Sequence, residues 1–135
     1  MDEAKRTTIR RWLARAEHDL LTARDTFSAH PQVTDTVCFH AQQCAEKMLK
    51  AMLVYVDFHV QKTHDLQALL ATCVGHDPSF RELVEAADML NSYSVQVRYV
   101  ENWRDIPAEE AAEAIRHAER VTQFVSGKLA GHLHV

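Results

Sequence analysis

The sequence predicts an all-α fold, an antiparallel up-and-down four-helix bundle with an additional short helix. Only three Gly and three Pro occur in 135 residues, which favours long helices over a turn-rich sheet. Apolar residues recur at alternating steps of four and three, the spacing of a helix that packs along a partner helix. With 47% hydrophobic residues, a single domain over 1–135 is long enough to bury its own core.

Gly and Pro divide the chain into segments of helical length, and capping residues suggest where the helices begin. Thr34 or Asp35 is expected to cap the second helix and Thr63 the third. A capping box at 79–82 is expected to open the fourth helix, and Pro107 the fifth. The predicted helices cover about 5–29, about 34–57, 64–71 and Pro107 through Leu129. A fourth helix begins at 79, and its apolar pattern continues to Val97 without a clear end.

Charge and cysteine content exclude several classes of protein. A net charge of −4 argues against general attraction to nucleic acid or to an anionic membrane. The longest apolar run, 51–56, is too short to span a bilayer, and the first residues lack the apolar core of a secretory signal. Three cysteines without a C-x-x-C spacing indicate reduced, buried thiols. We therefore expect a cytoplasmic protein that does not bind membranes.

The second helix carries a polar stripe that is expected to form a solvent-exposed cationic edge. His40, Gln43, Lys47 and Lys50 follow one another at steps of three, four and three, so they share one face of the helix. Such a stripe is typical of a solvated face, but lysines also bind phosphate without a metal ion. Both interpretations remain open from the residues alone.

Further residues could complete a nucleotide groove beside that stripe. His64 and Arg98 would add hydrogen-bond donors, and Tyr99 or Trp103 could stack on a base. The alternatives are a histidine bonded within its loop and core tyrosines with a hydroxyl at the rim. The first helix also has cations, interpreted as a solvated face in preference to a binding patch. These cations are Lys5, Arg6, Arg10, Arg11 and Arg15.

Four stretches together resemble HEPN domains, the higher-eukaryote and prokaryote nucleotide-binding domains, in the type often paired with a minimal nucleotidyltransferase. The stretches are Trp12-Leu13 through Asp19-Leu20, Cys38 to Ala51, Lys62 to Leu66 with Leu69-Leu70, and Leu90 to Tyr93 with Arg98-Tyr99. The resemblance implies a helical bundle, frequent dimerisation, and a role beside a nucleotidyltransferase in a toxin-antitoxin-like, two-component system. Phe39, on the polar side of the second helix, is a further hint of a homodimer, with a surface-exposed Phe39 as the alternative.

Some members of that family are metal-independent ribonucleases, in which four to six residues separate an Arg from a His. Behind Arg98 the corresponding positions hold Trp103, Arg104 and Asp105, so the histidine is absent. The pairs Arg11 to His18 and Arg24 to His30 fit the spacing but are expected by chance. No metal-ligand spacing and no cofactor motif is found.

The sequence therefore predicts a non-catalytic module that dimerises and binds a nucleotidyltransferase and a nucleotide. Its predicted ligand-binding residues are His40, Gln43, Lys47, Lys50, His64, Arg98 and Tyr99, with no catalytic residue, no metal and no cofactor. The alternatives are an endoribonuclease toxin, for which RNA is possible but not favoured as a ligand, and a purely structural interaction domain. In the ribonuclease, Arg98 would stabilise charge and His40 or His64 would supply the base.

Overall fold

A computed structural model describes residues 1–94 and 104–133. Across these two ranges every regular element is helical, which confirms the predicted all-α fold. We number the α-helices α1 to α5, and a short 3-10 helix precedes α4. The elements are α1 (Glu3–Ala29), α2 (Thr34–Tyr55), α3 (Leu66–His76), the 3-10 helix (Pro78–Leu83), α4 (Val84–Asn91) and α5 (Ala108–Leu133).

Contacts at the helix ends show that α1 runs antiparallel to both α2 and α5. The start of α1 meets the chain just after α2, where Lys5 Nζ lies 2.9 Å from Asp57 Oδ1. The guanidinium of Arg10 donates to the carbonyl oxygen of Leu133, at the end of α5. Since the early part of α1 meets the late part of each partner, the up-and-down arrangement follows.

The segment between α3 and α5 runs antiparallel to α5. At one end Lys128 Nζ lies 2.9 Å from Asp77 Oδ2, and at the other the hydroxyl of Tyr93 donates to Glu110. The 3-10 helix and α4 together therefore occupy the place of one long helix of the bundle. They differ from the predicted single helix, whose expected continuation through Val97 lies outside the described residues.

The core draws side chains from all of these elements, and α2 is buried along most of its length. Helices packed around a central helix leave it little solvent-facing surface, which is why α2 has so few exposed positions. The largest fully buried side chains are Phe80, Ile9, Met48, Leu49, Leu53, Leu66, Leu83, Leu90, Leu129, Gln42, Val37 and Val121.

The three cysteines are free and buried, as the sequence predicted. Burial raises the pKa of Cys44 to about 11 and the pKa values of Cys38 and Cys73 to about 12. At neutral pH these thiols therefore remain protonated, and they are poor nucleophiles.

The predicted caps are wrong for three helices, and aspartates cap two of them. Val33, which provides no side-chain cap, precedes α2, so neither Thr34 nor Asp35 has that role. The side chain of Asp65 accepts from two backbone amides at the start of α3, so the cap is Asp65, two residues after Thr63. Asp77 caps the 3-10 helix and also accepts from the Ser79 hydroxyl at 2.7 Å, so Ser79 is not free to start a capping box.

Tyr93, Arg104 and Glu110 join the chain after α4 to the first turn of α5. Arg104 donates to both carboxylate oxygens of Glu110, at 3.1 and 2.6 Å, and the Tyr93 hydroxyl donates to one of them. The hydrogen bonds from Arg104 hold the pKa of Glu110 below its ordinary value of 4.5. The pKa of Tyr93 is raised, chiefly by burial and then by its bond to Glu110.

We expect Glu110→Gln to lower the free energy of unfolding near neutral pH by roughly 1 kcal/mol, because the partners are partly exposed. A carboxylate with a lowered folded-state pKa stabilises the fold above its unfolded-state pKa, and that stability is lost as pH falls through the folded-state pKa. The difference between wild type and variant should therefore shrink from about pH 5 to about pH 3. Urea unfolding of wild type and variant at about pH 5 and about pH 3 measures this difference in the free energy of unfolding. Glu109→Gln, at the exposed neighbouring position, is the control. An equal difference at both pH values would contradict the assignment.

Two further expectations from the sequence concern membrane spanning and the residues Arg98, Tyr99 and Trp103. Within 1–94 and 104–133, no helix is both long and apolar enough to cross a membrane. Arg98, Tyr99 and Trp103 lie outside the described residues.

Candidate functional site

Asp19 joins α1 to α2 through two side chains of the predicted polar stripe. Its Oδ1 lies 2.8 Å from His40 Nδ1, and its Oδ2 accepts from the ammonium group of Lys47. Asp19 is buried, whereas His40 and Lys47 are half-buried at the rim of the seam between the two helices. The seven-residue step from His40 to Lys47 is two helical turns, so one carboxylate between them reaches both.

Glu46 is the centre of a second, more deeply buried group of polar side chains. Its Oε1 lies 2.9 Å from His64 Nδ1 and accepts from Gln42 Nε2 at 3.3 Å, and its Oε2 accepts from Lys50 Nζ at 3.1 Å. Glu46 is only 3% exposed and Lys50 6%. Gln42 also donates to the carbonyl oxygen of His64 at 3.2 Å, so this group ties the loop before α3 to α2.

The predicted solvent-exposed cationic edge is wrong, because both of its lysines have carboxylate partners. Lys47 pairs with Asp19 and Lys50 with Glu46, and the Lys50 ammonium also lies 5.6 Å from the centre of the Trp12 ring. Helical periodicity places residues on a face but says nothing about the acids that neighbouring helices bring to it. The positive charge of the stripe is therefore largely offset within the protein.

The structure brings five of the seven predicted site residues into one continuous polar region. Gln43 links the two groups to each other, since its Nε2 donates to Gln42 Oε1 at 2.8 Å. The five are His40, Gln43, Lys47, Lys50 and His64, and we call them, with Asp19, Gln42 and Glu46, the α2 polar network. The remaining two, Arg98 and Tyr99, lie outside the described residues.

Both histidines of the α2 polar network are held by buried carboxylates. In each ring Nδ1 faces the carboxylate, and Nε2 makes no hydrogen bond within the described residues. The His64 side chain is 58% exposed, so its free nitrogen is open to a ligand. A carboxylate that orients an imidazole fixes which nitrogen carries the proton, and this arrangement suits hydrogen bonding to a phosphate or proton transfer.

Phe39 does not project from α2 as an exposed ring. It is half-buried and meets the His40 ring edge to face, with the ring centres 5.4 Å apart. Among residues 1–94 and 104–133, no three His, Cys, Asp or Glu side chains form a group that could hold a metal ion.

Sequence reasoning missed Asp19, Gln42 and Glu46 as members of the site. Two signals were available for the residues on α2: Gln42, Glu46 and Lys50 follow at steps of four, and a Glu four residues before a Lys is a common helical ion pair. No comparable signal exists for Asp19, because its partners lie on another helix, more than twenty residues away.

Fold and site together define a helical-bundle module whose α1–α2 seam carries a polar network. The chain matches the family model described as HEPN domain over residues 9–128. It therefore belongs to the HEPN domain family, as its sequence resemblance indicated.

Two solved structures are similar over nearly the whole chain. TT1696 from Thermus thermophilus is 32% identical with a TM-score of 0.73, over 90% of this chain and 98% of that one. ST0689, described as an archaeal HEPN homologue, is 26% identical with a TM-score of 0.71, over 90% of this chain and 97% of that one. No curated protein matches the chain.

Proposed function

We propose that this HEPN protein is the non-catalytic component of a toxin-antitoxin-like pair, in which it binds a minimal nucleotidyltransferase and a nucleotide. The observation that supports the proposal best is the α2 polar network, in which two imidazoles are oriented by buried carboxylates and their Nε2 atoms have no hydrogen-bond partner among the described residues. A buried polar network is less stabilising than apolar packing of the same volume, so its presence between helices points to a role beyond stability.

The accessible members of the network are the proposed ligand contacts. His40, Gln43, Lys47 and His64 reach the surface and offer donors to phosphate oxygens. Lys50 is too buried to reach a ligand directly, and in this proposal it positions His64 through Glu46. The roles proposed for Arg98 and Tyr99 are those that the sequence suggests: Arg98 donates hydrogen bonds to a phosphate, and Tyr99 stacks on the base.

Titration of the purified protein with ATP by calorimetry tests the nucleotide part. We expect Lys47→Ala and His64→Ala each to weaken binding by about tenfold, the loss of one charge-assisted hydrogen bond. Lys62→Ala is the control, since Lys62 is an exposed lysine with no partner among the described residues. Unchanged affinity in both site variants would reject the site.

The partner and the dimer have separate tests. A small nucleotidyltransferase reading frame is expected beside this gene, and co-expression should give a complex that survives purification. Light scattering of the protein alone should give twice the 15.4 kDa chain mass if it forms a homodimer. Absence of the neighbouring gene would count against the nucleotidyltransferase partner. A mass equal to that of one chain would count against the homodimer.

One observation favours the second candidate, a metal-independent endoribonuclease. The pair of Glu46 and His64 has the arrangement of an oriented general base, and Arg98 would supply the charge that stabilises the pentavalent phosphate. Incubation with single-stranded RNA in EDTA decides between the two candidates. Cleavage that disappears in His64→Ala and in Arg98→Ala would replace the first proposal by the second.

A further inference from the structure

The cations of α1 fall into two groups once the ion pairs are known. Four have partners on other elements or nearby in the chain: Lys5 pairs with Asp57, Arg6 with Glu3, Arg10 with the Leu133 carbonyl and Arg24 with Glu119. Arg11 and Arg15 have none within 1–94 and 104–133. These two guanidinium groups, one helical turn apart, form no ion pair with any described residue.

Arg11 and Arg15 line a surface depression of about 500 Å³ together with His18, the indole of Trp12, Thr8 and Ala14. Arg11, Arg15 and His18 are exposed, and His18 also has no side-chain partner among the described residues. Trp12 is half-buried, so part of its ring forms the wall of the depression. Three donors and one aromatic surface therefore face the same space.

The spacing suits a ligand with more than one phosphate. Residues four apart on a helix are separated by about 6 Å along its axis, so two arginines can each hold a separate phosphate group. Like charges at this spacing repel each other, and a bound anion removes that repulsion. Two acids of the helix are close in sequence to Arg15. Glu17 lies about 200° round the helix from it, and Asp19, one turn further on, is held by His40 and Lys47.

We propose that Arg11, Arg15, His18 and Trp12 form a binding site for a ligand that carries at least two phosphate groups and an aromatic base. Guanidinium groups bind phosphate oxygens in pairs, and an indole stacks on any base. A nucleoside polyphosphate and a short single strand of nucleic acid share this chemistry. The site shares no residue with the α2 polar network, which touches it only where the Lys50 ammonium lies 5.6 Å from the centre of the Trp12 ring, so it goes beyond the proposed function.

Binding of three probes tests the site: ATP, inorganic tripolyphosphate and a single-stranded RNA of about eight nucleotides, by calorimetry at low salt. We expect Arg11→Ala with Arg15→Ala to weaken binding of the cognate probe at least about tenfold. The control is Lys62→Ala with Arg81→Ala, which removes the same charge from two exposed cations that lack partners elsewhere in the described chain. Trp12→Phe should weaken ATP or RNA but leave tripolyphosphate unchanged, because only the first two can stack on the ring.

Each outcome decides the proposal. If the Arg11→Ala with Arg15→Ala variant loses affinity for ATP, the ligand is a free nucleotide. If it loses affinity for RNA alone, the ligand is a nucleic acid strand. Equal weakening by the control pair would show a non-specific charge effect and overturn the site, as would no binding of any probe to the wild type. Because ATP is also the probe for the α2 polar network, the titration is repeated in a Lys47→Ala/His64→Ala background. Binding that remains there and depends on Arg11 and Arg15 belongs to this site, which separates its failure from failure of the proposed function. Far-ultraviolet circular dichroism verifies that each variant is folded.

Discussion

Glu46→Ala is expected to lower the free energy of unfolding by about 3–5 kcal/mol, because it leaves a buried lysine without its counter-charge. Lys50 is 6% exposed and cannot turn to water without disturbing the seam with α1, where its ammonium lies near the Trp12 ring. The same change removes the acceptor for His64 and Gln42, so of the two hydrogen bonds that tie the loop before α3 to α2 only the one from Gln42 to the His64 carbonyl oxygen remains. Urea unfolding measured by circular dichroism gives the free energy.

Two further variants separate the charge effect from a packing effect. Glu46→Leu combined with Lys50→Met replaces both charged partners of the ion pair with apolar side chains. This double variant should be less destabilising than Glu46→Ala, because no buried charge is left unpaired. Glu113→Ala removes the carboxylate of an exposed helical pair with Arg116, and it should change stability by less than about 0.5 kcal/mol. If Glu46→Ala costs no more than Glu113→Ala, Glu46 is not the centre of a buried network.

Phe80→Ala should destabilise the protein by a similar amount, about 3–5 kcal/mol. Phe80 is fully buried, and its ring meets Phe124 of α5 edge to face with the ring centres 4.9 Å apart. Phe80 and Leu83 are the two buried side chains of the 3-10 helix, and removal of the Phe80 ring leaves a cavity between that helix and α5. Thermal and urea unfolding measure the loss.

The matched controls for Phe80 vary size and burial in turn. Phe80→Leu keeps most of the apolar volume and should cost clearly less than Phe80→Ala. Phe58→Ala removes a ring that is 39% exposed, and it should have a much smaller effect. Equal losses for Phe58→Ala and Phe80→Ala would mean that the 3-10 helix does not depend on the Phe80 contact.

The two sets of cations illustrate how charge must be judged in three dimensions. Lys47 and Lys50 looked free on the helical projection of α2, yet each meets a buried carboxylate. Arg11 and Arg15 looked like ordinary solvated residues, and they form no ion pair with any acid in the described chain. The availability of a cation for an anionic ligand depends on its neighbours across the seam, and these come from other helices.

Helix positions were predicted better than the residues that cap the helices. Apolar residues at four- and three-residue steps located α1, α2 and α5 closely, because a helix needs only a repeated pattern to bury one side. The caps depended on which of several neighbouring Ser, Thr and Asp side chains turned toward a free amide. Asp65 and Asp77 accept from the first amides of α3 and of the 3-10 helix, whereas Thr63 accepts only from the amide of Asp65 itself and the Ser79 hydroxyl donates to Asp77.

By itself the sequence determined that the chain is helical, roughly where its long helices lie, and which family it belongs to. Those properties follow from local periodicity and short motifs, which can be read along one continuous stretch of residues. Only the tertiary structure decided that Asp19 and Glu46 hold the polar side chains of α2 and that Arg11 and Arg15 face a depression unpaired within the described residues. Ion pairs and pockets form between residues far apart in the chain, and their energies depend on distances and burial that arise when the helices pack.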